Sequence, residues 1–210
     1  MNKVFKLGAS YTIGSHILPG EPIINIAKIL ESKIKLTIGA CDKIIEGVKS
    51  KEFDIGLIES PIFDDDLIYN KWMEDDLVIC SKLPMGSSLG EEELSTCQLL
   101  CRNVNSPTRM FISDSLHKLG LSYQTFYSLT EIDNATAAIQ GIKWSKPNKK
   151  NPTVAIVSQL AIENELKKEE LFQSQIYETP MRRNFYLILH KDNRDNISVD
   201  GIIKYLKGWK

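Results

Sequence analysis

Two turns in this chain carry side chains able to hold a small polar ligand. The first is Gly8-Ala9-Ser10-Tyr11-Thr12-Ile13-Gly14, which leaves a short apolar run and opens a helical pattern. Such a strand-to-helix switch leaves backbone N–H groups without intrahelical partners, and the hydroxyls of Ser10 and Thr12 beside them complete an anion site. The same hydroxyls are equally suited to capping the helix. The second turn is Asn105-Ser106-Pro107-Thr108-Arg109. A proline just inside a helix start, flanked by hydroxyls and a guanidinium, suits a carboxylate or phosphate. A plainer reading competes here too, with a capping hydroxyl and Arg109 paired to a surface acid. Both turns lie at the carboxyl ends of strands, where open parallel sheets bind their ligands.

Other chemistries find less support. His16, His117 and His190 have no spacing typical of a metal site, and neither a metal nor another cofactor is expected. No Ser-His-Asp arrangement or nucleophile elbow is present, so the chain reads as a binding module rather than an enzyme. Cys41 falls at a helix start, a position that lowers a thiol pKa. Cys97 and Cys101 are spaced for one helix face, which leaves a redox pair open, although buried inert thiols are the commoner outcome. Lys143, Lys146, Lys149 and Lys150 crowd around Trp144 and read as a solvated loop more readily than as a phosphate-backbone contact. The acid runs at 64–66 and 91–93 read as solvated faces.

The elements that must position these turns follow from periodicity. The first 61 residues alternate strand and helix: strands at 4–9, 34–38 and 53–58, with helices at 17–30 and 43–50 between them. Pro19 and Pro22 sit inside the first helical pattern and should kink it or break off its first turn. A β-α-β-α-β order implies a parallel sheet covered on both faces. Further on, strands are expected at 67–72, 77–81, 99–101, 123–129, 153–157, 176–179 and 185–190. Helices are expected at 110–119, 134–141, 159–168 and 197–207, with Gly120 stopping the first of these.

Length and charge set the outer limits. At roughly 150 residues per domain, 210 residues make one large domain or two modest lobes. The 26 basic and 27 acidic residues nearly cancel, which argues against a free-standing nucleic-acid binder. Apolar runs fall far short of the roughly 20 residues that a membrane helix needs. The opening residues do not read as an export signal, so a cytoplasmic location with reduced thiols is expected.

Six segments in order make the sequence resemble one family. The runs LGASYTIGSHILPG, LTIGACDKIIEGV, FDIGLIESP and KWMEDDLVICSK, followed by LLCRNVNSPTR and TVAIVSQLAIENEL, are similar to the effector-binding domain of LysR-type transcriptional regulators. MRRNFYLILHKD matches that family's last crossing strand. The resemblance implies the fold of type 2 periplasmic binding proteins: two α/β lobes, each a mostly parallel sheet flanked by helices, joined by two crossing strands. Lobe one would comprise residues 1–80 and 187–210, and lobe two residues 81–186. It also implies a small effector, an organic or inorganic anion, held in the cleft between lobes. Mapped by motif, Ser10, Tyr11, Thr12 and Cys41 would contact it from lobe one, and Ser106, Thr108, Arg109, Asn134 and Ser158 from lobe two. The family's winged helix-turn-helix is absent from these residues, so DNA would be reached only through that separate domain, in a homodimer or tetramer. The alternative is a stand-alone solute-binding protein of the same fold. Two departures stand out: Ala40-Cys41 replaces a common polar pair, and Pro107 replaces a frequent glycine.

Overall fold

The computed structural model describes residues 4–209; residues 1–3 and 210, counted within the expected lobe one, lie outside them. Along the chain come β1 (Phe5–Ser10), a wide helical turn (Ile13–Ile17), α1 (Glu21–Leu30), β2 (Ile34–Gly39), α2 (Cys41–Lys49), β3 (Ile55–Ile58) and β4 (Leu67–Ser81). Then follow β5 (Ser88–Leu89), α3 (Glu91–Leu94), β6 (Gln98–Cys101), α4 (Pro107–Lys118), β7 (Ser128–Glu131), α5 (Ala135–Trp144) and β8 (Thr153–Ser158). The chain closes with α6 (Glu163–Lys167), β9 (Phe172–Ile176), β10 (Met181–His190) and α7 (Ile197–Gly208). These elements form two units: one holds the residues up to Glu74 and from Asn184 onward, the other Asp75–Arg183. The chain therefore passes from one unit to the other inside β4 and returns inside β10.

In the first unit β1 pairs in parallel with β2 on one side and β3 on the other, and β10 runs antiparallel to β3. β1 and β3 are apolar and almost wholly buried, as strands covered on both faces must be. Cys41, Ile44, Ile45 and Val48 of α2 pack on Phe53, Ile58 and Ile188 on one face. Phe53 is wedged so tightly between β1 and α2 that a Cβ on Gly8 would stand 2.6 Å from its ring. α1 starts one residue before Pro22, as the two prolines foretold, and the residues ahead of it form the separate wide turn. α7 is tied down by the Trp72 indole, which donates to the Leu206 carbonyl at 2.8 Å, and by Asn25, which donates to the Tyr205 hydroxyl at 3.1 Å.

The second unit repeats the plan. β6 is flanked in parallel by β7 and β8, and β4 runs antiparallel to β8 and β9. One apolar cluster gathers Leu99, Ile112, Leu116, Tyr123 and Phe126, and a second gathers Ala138, Ile139, Ile142, Val157 and Ile162. α4 ends where Gly120 takes a φ of 74°, a left-handed conformation that glycine adopts without strain.

Three local expectations are corrected. Residues 67–72 and 77–81 form one continuous 15-residue strand, because the acidic link between them stays extended. Tyr123–Thr125 is a short 3-10 turn rather than a strand, capped by the Ser122 side chain, which accepts from the Gln124 N–H. Cys97 and Cys101 share no helix: Cys97 precedes β6 and Cys101 ends it.

Candidate functional site

In each unit the polar residues singled out above collect at the carboxyl ends of parallel strands. Ser10 ends β1 beside Gly39, the last residue of β2, and Glu59 directly follows β3. Ser10, Thr12 and Glu59 are all buried, at 1%, 3% and 7% exposure. The Ser10 hydroxyl donates to Glu59 Oε2 at 2.7 Å and the Thr12 hydroxyl to Oε1 at 3.3 Å. Both hydroxyls expected to receive an anion are thus turned onto a carboxylate of the same unit. Neither serves as a cap: the turn at Thr12 has no side-chain capping bond. Tyr11 is half-buried beside them, and Cys41 is a buried first residue of α2.

Glu59 escaped sequence reading. It lies 49 positions from Ser10, and in the chain it reads as one member of an acid-rich stretch. The available signal was an acid at the carboxyl end of a wholly buried strand, where a charged group needs partners.

The second unit places Ser106, buried at 5% exposure, as the N-cap of α4, with Pro107 at its first position. The Ser106 hydroxyl makes no capping bond. Thr108, the second residue of the helix, accepts from Arg183 Nη1 at 3.4 Å. Arg109 is engaged within its own unit, where Nη1 also stands 3.6 Å from Glu131 Oε1, the pairing to an exposed acid that the plainer reading expected. Its Nη1 donates to the Arg102 carbonyl at 2.6 Å and to Cys101 Sγ at 2.9 Å, and its guanidinium lies 4.2 Å over the Tyr123 ring. The sequence offered no hint of this, because stacking and sulfur contact depend on β6 and α4 being neighbours. Asn134 caps α5, its side-chain oxygen accepting from the Ala137 N–H at 2.8 Å. Ser158 donates to Asp75 Oδ1 at 2.6 Å and accepts from the Ala161 N–H at 3.3 Å.

Asp75 and Arg183, both buried, were missed by sequence reading. Arg183 Nε donates to Asp75 Oδ2 at 2.9 Å, with side-chain exposures of 5% and 0%. Asp75, Ser158, Arg183 and Thr108 therefore make one hydrogen-bonded chain through the second unit. Three of the four thiols point away from chemistry. Burial pushes the Cys80 thiol up to about 12 and Cys97 to about 11, and burial is also the main cause that raises Cys101. Among the described residues no group of three His, Cys, Asp or Glu could hold a metal, and no helix is long and apolar enough to cross a membrane.

Comparison with known proteins fits this arrangement. Residues 2–209 match the family model described as LysR substrate binding domain. An uncharacterized HTH-type transcriptional regulator in the lacR 5' region of Staphylococcus xylosus is 27% identical over 203 residues, 96% of this chain and 67% of that protein. The HTH-type transcriptional regulator CysL of Bacillus subtilis is 29% identical over 142 residues, 64% of this chain and 46% of its own length. Among solved structures, the CcmR regulatory domain of Synechocystis PCC6803 in complex with 2-PG has a TM-score of 0.77 at 18% identity, covering 97% of this chain and 95% of that one. The cofactor-binding domain of the Cbl transcriptional regulator has a TM-score of 0.78 at 15% identity, covering 100% and 92%. These likenesses establish the fold as that of LysR effector-binding domains, the type 2 periplasmic-binding-protein fold. On the match of nearly its whole length, the chain belongs to the LysR substrate binding domain family.

Proposed function

We propose that this chain is the ligand-sensing module of a LysR-type transcriptional regulator, binding a small effector and passing its occupancy to a DNA-binding part outside these residues. The observation that carries the reading is the placement of buried hydroxyls and charges at the carboxyl ends of the parallel strands in each unit. The second unit supplies an anion site. Ser106 has a hydroxyl not used for capping, and Thr108, accepting from Arg183, has its own proton to give. Both stand at the N-terminus of the 12-residue α4, where the helix dipole favours negative charge. Arg109 is left out of this site, since its guanidinium is engaged by Cys101, the Arg102 carbonyl, Glu131 and Tyr123.

The CcmR domain binds 2-PG and the effector-binding domain of QuiR binds shikimate, which supports a small-molecule effector without naming the one used here. The module binds rather than catalyses, works in the cytoplasm and pairs into a homodimer or tetramer. A thermal-shift screen of organic acids, amino acids and oxyanions tests the reading. A ligand at 100 times its Kd stabilises by about 2.7 kcal/mol. Ser106→Ala and Thr108→Val should weaken that ligand by about 0.5–3 kcal/mol each. A hit unaffected by both substitutions refutes the second-unit site. Light scattering at micromolar concentration that finds only monomer refutes the oligomer.

A further inference from the structure

The polarity of the first unit's turn sets what kind of group it accepts. A serine or threonine hydroxyl has one proton to give and lone pairs to receive with, whereas a carboxylate only receives. Ser10 gives its proton to Glu59 Oε2 and Thr12 gives its proton to Oε1. Toward anything else the two hydroxyls then present lone pairs alone, backed by a carboxylate at 7% exposure. This reverses the polarity that the turn's sequence advertises. An oxyanion without a proton would meet oxygen lone pairs at these three side chains. To be received by either hydroxyl, it would have to pull that proton away from the Glu59 carboxylate, exchanging one charge-assisted hydrogen bond for another beside a buried negative group.

Resting on the effector-site reading above, we propose that Ser10, Thr12 and Glu59 form a proton-demanding subsite: the effector group that reaches them must itself donate a hydrogen bond. Hydroxyl, ammonium and protonated oxyanion all qualify, while fully deprotonated oxyanions and bare carboxylates do not. The side chains that make the demand all belong to the first unit.

Matched pairs of probes that differ only in the donor test this on the full chain: phosphate against sulfate, malate against succinate, and glycolate against acetate, each titrated calorimetrically at pH 7. The expected result is at least one pair whose donor-bearing member binds about 100-fold tighter or more. In Glu59→Gln, the carboxamide accepts from one hydroxyl and donates with its nitrogen, so that ratio should shrink to within about tenfold. A wild-type protein that binds the donor-lacking member of a pair as tightly as its mate overturns the inference and leaves the effector-site reading intact. A ratio that persists undiminished in Glu59→Gln overturns it as well. The wild-type ratio decides the matter alone if the variant does not fold. Silence of every probe with both proteins, or binding unchanged in Ser10→Ala, Thr12→Val, Ser106→Ala and Thr108→Val alike, counts against the effector site itself.

Discussion

Arg183→Met removes the cation from the most deeply buried ion pair described in the second unit while keeping the length of the side chain. Asp75 then holds a carboxylate at 0% side-chain exposure, without the guanidinium that donates to Oδ2 at 2.9 Å. Ser158 still donates to Oδ1 at 2.6 Å, but one neutral hydroxyl does not balance a buried charge. Breaking a buried pair on one side costs about 3–5 kcal/mol, because the remaining charge is desolvated and uncompensated. At about 2–4 °C per kcal/mol for a chain of this size, the midpoint should fall by roughly 6–20 °C. The double replacement Asp75→Leu with Arg183→Met removes both charges and leaves the Ser158 hydroxyl without the Asp75 acceptor. That should cost about 1–3 kcal/mol, less than Arg183→Met alone. Urea unfolding followed by far-ultraviolet circular dichroism gives both values. Arg183→Met within 0.5 kcal/mol of wild type, in the ordinary range of a surface substitution, or a double replacement that simply sums two large losses, would refute the reasoning.

Further expectations follow from other parts of the structure. Gly47→Ala in α2 should lose about 1–3 kcal/mol rather than gain helix propensity, because the new Cβ runs into the Phe53 ring; urea midpoints show it, and Phe53→Leu should recover part of the loss. Asn196→Ala should cost about 1 kcal/mol in thermal unfolding, since its side-chain oxygen accepts from the Ser198 and Val199 N–H groups at the start of α7, while Asn196→Gly should cost only tenths. Cys80 ionises near 9 when unfolded and is pushed up to about 12 in the fold, so its contribution to stability is present below pH 9 and is lost as the pH climbs toward 12. Native protein at pH 8 should accordingly leave Cys80 and Cys97 unlabelled by iodoacetamide, with both reacting in urea; rapid native labelling of either would contradict their burial.

Much of the scaffold was legible because its signals are local. The largely apolar runs of β1 and β3, the helical stripe Ile44, Ile45 and Val48, the helix start at Pro22 and the stop at Gly120 each depend on a few neighbouring residues. The turns that hold Ser10, Thr12, Ser106 and Thr108 were legible for the same reason, since a hydroxyl at a strand-to-helix switch is a feature of spacing. Where the local signal was ambiguous the reading slipped. Tyr123–Thr125 is aromatic enough for a strand, but packing of Tyr123 into the second unit's core turns it into a 3-10 bend.

The sequence by itself determined most of the strands and helices and the residues at their junctions, because these rest on local periodicity and composition; the fold was read from the family resemblance. Only tertiary structure decided what the site residues do. Glu59 reaches Ser10 across 49 positions, Asp75 reaches Arg183 across 108, and Arg109 spends its charge on the neighbouring strand. A hydroxyl's proton goes to whichever acceptor the fold brings within about 3 Å, and that acceptor is set by which strands lie side by side. The turn that spells an anion site in one dimension becomes, once β3 carries Glu59 alongside β1, a surface of lone pairs.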